Sequence, residues 1–454
     1  METQNEKVVG TTSAATENTG RRVGVKMIVI VVLSLLLLIP IGMIEGLIEE
    51  RKETSDKTIE KVTGQWCLAQ QIVGPTLTIP QKIHSTLVDE DGKYKKEESV
   101  VDVRVLPQKL NVKGDIQNKI RKKSIYQVSL FTAVIEMTGS FELSEEMCNC
   151  VNDIDEDNSV AVQFSLSDLK GITDEMKITI AGKELELKPD GNGLLPEMSQ
   201  LSAKVDLSGV QDLKNIPFSM KFSIKGSQSL KFAPIGEMTT VALTANASTP
   251  GFTGSFLPDE SSVADSGFTS NWKVSYLNRN YPQQLATVTN SVVEAVRNSM
   301  FGVDLLIPVQ HYQQSLRCTK YAMLFIILTF AVFFFVENIQ KKNIHPIQYL
   351  LVGLALTLFY SLLVSMSEHV GFRLAYMLAS GMTIIMLTLY TGAVLRIKKT
   401  ACYIGGSLAV LYAYIFVLIH METYALVAGS IGLFFILAGI MYLSQKVDWN
   451  RIVK

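Results

Sequence analysis

Two pairs of glutamate and histidine are the residues of this chain whose side chains could act together in chemistry. Glu368 is adjacent to His369, and His420 lies two positions before Glu422. Carboxylate and imidazole groups bind metal ions such as zinc, and they relay protons when they are buried within a membrane. At the end of a membrane helix the same residues simply face headgroups and water. We favour this simpler interpretation, because polar groups in a membrane segment indicate function only where they are buried.

Six apolar runs without Asp, Glu, Lys or Arg determine where these pairs lie. A helix needs roughly 20 apolar residues to cross the hydrocarbon layer, and all six runs have or approach that length. The runs are Met27–Ile44, Tyr321–Val336, Asn343–Ser367, Leu374–Leu395, Thr400–Met421 and Thr423–Gln445. They predict six transmembrane helices, one near the N-terminus and five in the C-terminal third. The two Glu/His pairs then end the third and fifth spans, on the same, outer side of the membrane.

The basic residues around these runs predict their orientation, because cytoplasmic loops carry an excess of Lys and Arg. Basic residues precede the first run and follow the second, fourth and sixth: Arg21, Arg22, Lys26, Lys341, Lys342, Arg396, Lys398, Lys399, Lys446, Arg451 and Lys454. Both termini are therefore predicted to be cytoplasmic, and the segment between the first two spans to be extracytoplasmic. We interpret the first run as a retained signal anchor, because no small-x-small cleavage site follows it.

The segment between the first two spans has the pattern of a β-rich domain. A charged helix is predicted to continue outward over Glu49–Val62, and after it the apolar residues recur at every second position. This alternation, typical of half-buried strands, is found in Val101–Leu106 and Ile125–Phe141, and Ala181-Gly182 marks a hairpin. Many short strands separated by turn residues predict an antiparallel sandwich or a barrel-like domain.

The predicted fold class is a membrane protein of α+β structure. It has six transmembrane helices and a large, β-rich, antiparallel extracytoplasmic domain. We expect residues 1–24 to be a disordered cytoplasmic N-terminus, residues 25–46 the transmembrane signal anchor, and residues 47–318 the β-rich domain with flanking helices. Residues 319–445 are predicted to form a five-helix transmembrane bundle, followed by a cytoplasmic tail over 446–454.

Small and aromatic residues of the spans are explained by packing and by the membrane interface. Glycines allow close approach of helices in lipid, and they are frequent in the last two predicted spans: Gly405, Gly406, Gly429, Gly432 and Gly439. Tyrosines also populate the spans, and several near the ends fit an aromatic belt. Neither feature requires a ligand or a gating role.

The cysteines and the net charge do not indicate a metal site or a nucleic-acid-binding site. The five cysteines, at positions 67, 148, 150, 318 and 402, have no spacing typical of a metal site. Cys148 and Cys150 are separated by one residue, a spacing that strains a disulfide, so their state and a pairing with Cys67 stay open. The net charge of -1 gives no indication of nucleic-acid binding. Nucleotide-binding, Rossmann, zinc-protease and serine-hydrolase motifs are absent from the sequence, and we expect no metal, cofactor or catalytic residue.

Several longer stretches resemble one known family, in order and over nearly the whole chain after residue 25. The matching stretches are Trp66, Gly74–Pro80, Ile125–Phe141, Phe252–Pro258, Trp272, Asn278-Arg279, Gly302–Glu337 and His345–Gly371. Together they resemble the CreD family of bacterial inner-membrane proteins, described as cell envelope integrity proteins. The resemblance implies a location in the inner membrane, with the β-rich domain in the periplasm. It also implies a link to envelope-stress responses, and it carries over no catalytic residues.

These observations favour a non-enzymatic role in cell envelope integrity or in the response to envelope stress. The periplasmic domain would bind a partner protein, a lipid or a wall component, and the partners we expect are membrane lipid and such an envelope component. One alternative is a transporter of small molecules or lipids, although the spans carry almost no charge in their middles and show no inverted repeat. The other is a membrane-embedded enzyme that uses Glu368, His369, His420 and Glu422. The sequence leaves the oligomeric state open.

Overall fold

The computed structural model describes residues 25–88, 94–152, 159–191, 194–207, 210, 212–305, 310–340, 344–421 and 424–445. The predicted N-terminal segment, the predicted tail, Glu422 and the basic residues Lys341 and Lys342 lie outside these ranges. The chain divides into two compact units. One contains Met1–Ser55 and Val309–Lys454, and the other contains Asp56–Pro308.

Nine α-helices occur in the described part of the chain. In chain order they are α1 (Val25–Trp66), α2 (Glu145–Asn152), α3 (Asn290–Asn298), α4 (Gln310–Lys320), α5 (Ala322–Gln340), α6 (Pro346–Val370), α7 (Phe372–Leu395), α8 (Lys398–His420) and α9 (Ala425–Gln445). The predicted charged continuation of the first span is part of α1, which ends at Trp66.

The predicted transmembrane helices are all present as helices. Among the described residues, α1, α5, α6, α7 and α8 are long and apolar enough to cross a membrane. The sixth, α9, has a shorter apolar stretch, Leu426–Tyr442. Because a helix satisfies its own backbone N–H and C=O groups, it is the form in which such apolar segments enter lipid. The α+β membrane fold class is therefore confirmed.

Close packing of small residues determines how the helices of the first unit meet. A Cβ atom added at Gly353 of α6 would overlap the side chain of Leu37 of α1, so these two helices approach closely there. Gly405 of α8 lies in the same way against Thr388 of α7, and Gly432 of α9 against the Tyr414 ring. Packing therefore explains Gly405 and Gly432, whereas a Cβ atom at Gly406 or Gly439 would meet no neighbour.

The second unit is built from β-strands. In chain order the described strands are β1 (Gln70–Val88), β2 (Tyr94–Val105), β3 (Lys109–Lys123), β4 (Tyr126–Phe141), β5 (Val160–Leu166), β6 (Lys177–Ile180), β7 (Lys183–Glu186), β8 (Lys188–Asp190), β9 (Ser199–Val205), β10 (Ile216–Ser227), β11 (Ser229–Phe232), β12 (Met238–Ala245), β13 (Gly251–Gly254), β14 (Glu260–Ala264), β15 (Gly267–Ser275), β16 (Gln284–Leu285) and β17 (Phe301–Asp304).

These strands form two sheets in the described part of the chain. The nine-stranded sheet has the order β13-β17-β11-β1-β5-β9-β8, with β2 also paired to β1 and β16 paired to β2. The eight-stranded sheet has the order β14-β15-β12-β3-β4-β10-β6-β7. Most pairings are antiparallel, as predicted, but β1 pairs with β11 and β3 with β12 in parallel. The β-rich unit is thus a sandwich of two mixed sheets.

The buried side chains of the two sheets form one apolar core, and burial alternates along the strands. In β10 and β15 every second side chain is buried, which is the two-residue period of a strand with one face on the core. Phe164 of β5 meets Phe222 of β10 across the sandwich, with ring centroids 5.4 Å apart. Trp272 of β15 and Phe301 of β17 also join the two sheets, with centroids 5.7 Å apart.

Truncation of Phe164 to alanine should destabilise the second unit, because Phe164 is fully buried between the sheets. Loss of a buried phenylalanine ring costs about 3–5 kcal/mol of unfolding free energy. The measurement is thermal unfolding of the full-length protein in detergent, followed by the β-sheet signal in circular dichroism. Leu257→Ala is the control, because Leu257 is 73% exposed. Equal unfolding temperatures for the two variants would contradict the sandwich core.

Candidate functional site

Glu368 lies near the end of α6 and is held by a residue of α4. The hydroxyl of Tyr312 donates a hydrogen bond to Glu368 Oε1 at 2.9 Å. Tyr312 is almost fully buried and packs with Ile48 of α1 and Val364 of α6. This apolar packing fixes the position of the Tyr312 hydroxyl. Glu368 therefore has a fixed hydrogen-bond partner within the first compact unit, Met1–Ser55 and Val309–Lys454, which we call the membrane unit.

His311 completes this polar group, although the sequence did not single it out. Its ring lies against the ring of Tyr312, with centroids 4.3 Å apart. Burial lowers the pKa of His311, and the negative charge of Glu368 opposes that shift. The carboxylate of Glu368 is therefore close enough to act on the imidazole electrostatically. His311, Tyr312 and Glu368 therefore form a small polar cluster between α4 and α6.

The two histidines predicted to join Glu368 make local contacts instead. His369 is exposed, and its Nδ1 lies 3.1 Å from the carbonyl oxygen of Ser365, one helical turn earlier. His420 places Nδ1 2.9 Å from the carbonyl oxygen of Phe416, and its ring packs against the Phe416 ring at 4.2 Å. Because a carbonyl oxygen only accepts, Nδ1 carries the proton in both residues. Nε2 of His420 is buried without a partner among the described residues.

The structure therefore does not assemble these side chains into a metal site within the described ranges. No group of three or more His, Cys, Asp or Glu residues is arranged there to hold a metal ion. That the two pairs lie on the same side of the membrane stays a prediction. Glu422 lies outside the described residues. The Glu/His site stays a prediction. Its described members form hydrogen bonds with Tyr312 or with carbonyl oxygens of their own helices.

Among the described residues of the membrane unit, the most buried carboxylate is Glu337, which the sequence patterns did not single out. It lies in the last turn of α5 and is 5% exposed. Its carboxylate forms an ion pair with Lys26 of α1 and accepts a hydrogen bond from the Tyr349 hydroxyl at 2.9 Å. The backbone N–H of Ile344 donates to the same carboxylate at 3.1 Å. A single side chain thus joins α1, α5 and the start of α6.

Each member of this cluster had a simpler interpretation in the sequence. Glu337 marked the end of an apolar run, Lys26 was one of the basic residues before the first span, and Tyr349 fitted an aromatic belt. The signal that points to Glu337 is that apolar residues continue on both sides of it, at Val336 and Ile339. An acidic residue within a helix of a membrane unit needs a cationic partner nearby.

Replacement of Glu337 by glutamine should lower the stability of the purified protein in detergent. The substitution leaves the Lys26 ammonium without its counter-charge, and removal of one partner of a buried ion pair costs about 3–5 kcal/mol. The Lys26→Met/Glu337→Gln double variant should recover part of this loss, because it removes both charges. The measurement is thermal unfolding.

The matched control is Asp206→Asn, which breaks the exposed pair between Lys183 and Asp206. Exposed ion pairs contribute little to stability, so this variant should unfold like the unmodified protein. A Glu337→Gln variant as stable as Asp206→Asn would show that the Glu337 pair has no structural role.

Tyrosines in the bundle interior form an aromatic cluster rather than an interfacial belt. Phe359 lies at the centre of this cluster, with its ring centroid 4.8 Å from that of Tyr412 and 5.5 Å from that of Tyr376. The Tyr376 hydroxyl donates to the carbonyl oxygen of Tyr412 at 2.8 Å. By contrast, Tyr403 is 77% exposed. The predicted belt therefore fits the exposed tyrosines, while the buried ones pack the helices together.

Cys67 has the surroundings of a structural thiol. Its sulfur accepts a hydrogen bond from Gln70 Nε2 at 2.9 Å and lies 3.5 Å from Asp168 Oδ2. Burial and the charge of Asp168 raise the pKa of Cys67 to about 12. Since the thiolate is the nucleophile, the raised pKa disfavours a nucleophilic role for Cys67. None of the five cysteines, which all lie in the described ranges, forms a disulfide.

The fold and these contacts define a class: a membrane protein in which several spanning helices accompany a large β-sandwich unit. The model of the family described as inner membrane protein CreD matches residues 22–450. The chain is also similar to the inner membrane protein CreD of Escherichia coli (strain K12), with 31% identity over 420 residues, 91% of each chain. The chain belongs to the CreD family, as the sequence resemblance predicted.

Proposed function

We propose that this protein supports the integrity of the cell envelope, or the response to envelope stress, from the inner membrane. In this proposal both termini are cytoplasmic, and the β-sandwich unit is periplasmic and binds a partner protein, a lipid or a wall component. The role is non-enzymatic. The proposal extends the family assignment by giving the binding task to the β-sandwich unit.

The observation that carries the proposal is the contrast between the pockets of the two units. In the membrane unit a groove of about 420 Å³ is lined mostly by apolar side chains, including Ile44, Leu354 and Leu358, with the hydroxyl residues Thr357 and Ser361, a surface that suits lipid chains. In the β-sandwich unit a pocket of about 400 Å³ is lined by Glu142, Glu237 and several amide side chains. Polar groups that converge in a concave site give a ligand its orientation and specificity.

One wall of the polar pocket has spare hydrogen-bonding capacity. Gln283 donates through Nε2 to the carbonyl oxygen of Pro107 at 2.9 Å, and this contact fixes the amide. Its Oε1 is buried and accepts no hydrogen bond from any described residue. A buried acceptor without a donor costs free energy, so a bound group that donates there gains affinity. This supports a binding role for the β-sandwich unit.

The proposed orientation predicts the behaviour of two reporter fusions. Green fluorescent protein fused to the C-terminus should fluoresce, because it folds in the cytoplasm. Alkaline phosphatase inserted at the Asp265-Ser266 turn, between β14 and β15, should be active, because it requires the periplasm. The basic residues around the spans give the physical reason. An inactive phosphatase together with a dark C-terminal fusion would reverse the orientation and contradict the proposal.

Complementation tests the non-enzymatic role against the Glu/His alternative. In a strain that lacks this protein, the His369→Ala/His420→Ala variant should restore envelope-stress resistance as fully as the unmodified chain. The reason is that both imidazoles contact the carbonyl oxygen of their own helix. Membrane fractionation verifies expression and insertion. Failure of a normally inserted double variant would instead favour chemistry or ion binding at the ends of α6 and α8.

A further inference from the structure

A second pocket of the β-sandwich unit is lined by basic side chains, whereas the first is lined by glutamates and amides. It has a volume of about 330 Å³, at the low end of the range for small-molecule sites, and lies between the end of α1 and the tip of the β3–β4 hairpin. Its lining residues are Val62, Gln65, Trp66, Arg121, Lys122 and Lys123. We refer to it as the basic pocket.

Apolar contacts hold the two walls of the basic pocket together. Val62 of α1 is buried against Val128 and Leu130 of β4, and Trp66 packs against the same cluster. The hairpin pairing continues to its last residues, where Lys123 is opposite Tyr126. The cationic side chains at the tip are therefore carried by a paired ribbon that packs on α1, which gives the pocket a defined shape.

The charge at the hairpin tip is concentrated and has no internal counter-charge. Lys119, Arg121, Lys122 and Lys123 lie within five residues, and the sequence has no Asp or Glu between Ile116 and Ile135. Among the residues that the structure describes, none of these four forms an ion pair with a carboxylate. Like charges held close together repel one another, and a bound anion would relieve that repulsion.

Trp66 adds a hydrogen-bond donor to this positive surface. Its indole Nε1 is buried and finds no acceptor within the described ranges. One face of its ring is covered by Lys225, whose Nζ lies 5.0 Å from the ring centroid. Apart from the amide oxygen of Gln65, every polar side-chain group that lines the pocket is a donor. A ligand that fits must therefore supply acceptors and negative charge.

We propose that the basic pocket binds a phosphate-bearing ligand. A phosphate group carries several acceptor oxygens in a tetrahedral arrangement, so it can receive hydrogen bonds from α1 and from the hairpin together. The planar guanidinium of Arg121 matches phosphate oxygens in paired hydrogen bonds, and lysines bind phosphate as point charges. The inference rests on the proposed function, in which this unit binds an envelope component, and gives that component a chemical class. The source is an anionic lipid headgroup or a soluble phosphodiester.

Binding by the full-length protein in phosphatidylcholine nanodiscs tests the proposal. One arm titrates soluble glycerophosphoglycerol, and the other measures attachment to phosphatidylglycerol vesicles against phosphatidylcholine vesicles. The Arg121→Gln/Lys122→Gln/Lys123→Gln variant should bind at least about tenfold more weakly in whichever arm the unmodified protein binds, because three charge-assisted contacts are lost. Trp66→Phe keeps the ring but removes the Nε1 donor, and it should weaken binding several-fold.

The matched control removes the same charge elsewhere on the unit. Lys170→Gln/Lys188→Gln/Lys204→Gln changes three exposed lysines that form no ion pair with any described residue, and it should bind like the unmodified chain. An equal loss in both triple variants would show general attraction to positive charge and overturn the proposal. So would the absence of binding in both arms. Circular dichroism verifies that each variant is folded.

Complementation separates this inference from the proposed function. If the Arg121→Gln/Lys122→Gln/Lys123→Gln variant loses phosphate binding and also fails to restore envelope-stress resistance, both are supported. If it loses binding but restores resistance fully, the phosphate site stands, while the link between ligand binding by this unit and envelope integrity fails.

Discussion

The membrane unit depends on one buried carboxylate. Glu337 is almost wholly removed from solvent, and its carboxylate contacts the ammonium of Lys26 in α1 and a phenol and a backbone N–H at the start of α6. Without these partners a carboxylate in this position would be strongly unfavourable, because desolvation of an ion costs several kcal/mol even after relaxation. The start of α1, the end of α5 and the start of α6 must therefore stay together to keep these contacts with the Glu337 carboxylate. Apolar packing has no such directional requirement.

The sequence predicted the local features of the membrane unit but not the contacts of Glu337. Apolar length is a local property, so the spans were visible as runs, and all six were found as helices. The pairing of Lys26 with Glu337 joins residues 311 positions apart, and no periodicity in the sequence records it. A charged residue at the end of an apolar run has the same local appearance whether it faces water or a buried partner.

In the β-sandwich unit, too, local features could be predicted from the sequence, whereas long-range strand pairings could not. Alternation of apolar residues predicted strands, and the Ala181-Gly182 hairpin was confirmed with its turn in place, because side-chain period and turn chemistry are local. The parallel pairing of β3 with β12 brings together residues more than a hundred positions apart. Antiparallel neighbours can be joined by short turns, whereas parallel strands need a long connection. The mixed character of the sheets was therefore beyond the reach of local patterns.

The candidate sites, too, depend on contacts between residues far apart in the sequence. These contacts distinguish charges that are paired within the fold from charges that are not. The Glu/His pairs were singled out because they are adjacent in sequence, yet the contacts of Glu368 come from Tyr312 and His311 of another helix. In the membrane unit, Lys26 and Glu337 satisfy each other within the fold. At the tip of the β3–β4 hairpin, four cations have no such partner among the described residues. A charge that the fold neutralises supports the structure, whereas an uncompensated cluster in a concave site is available to a ligand. This difference, rather than the presence of charge itself, is the reason why we propose a binding role for the β-sandwich unit.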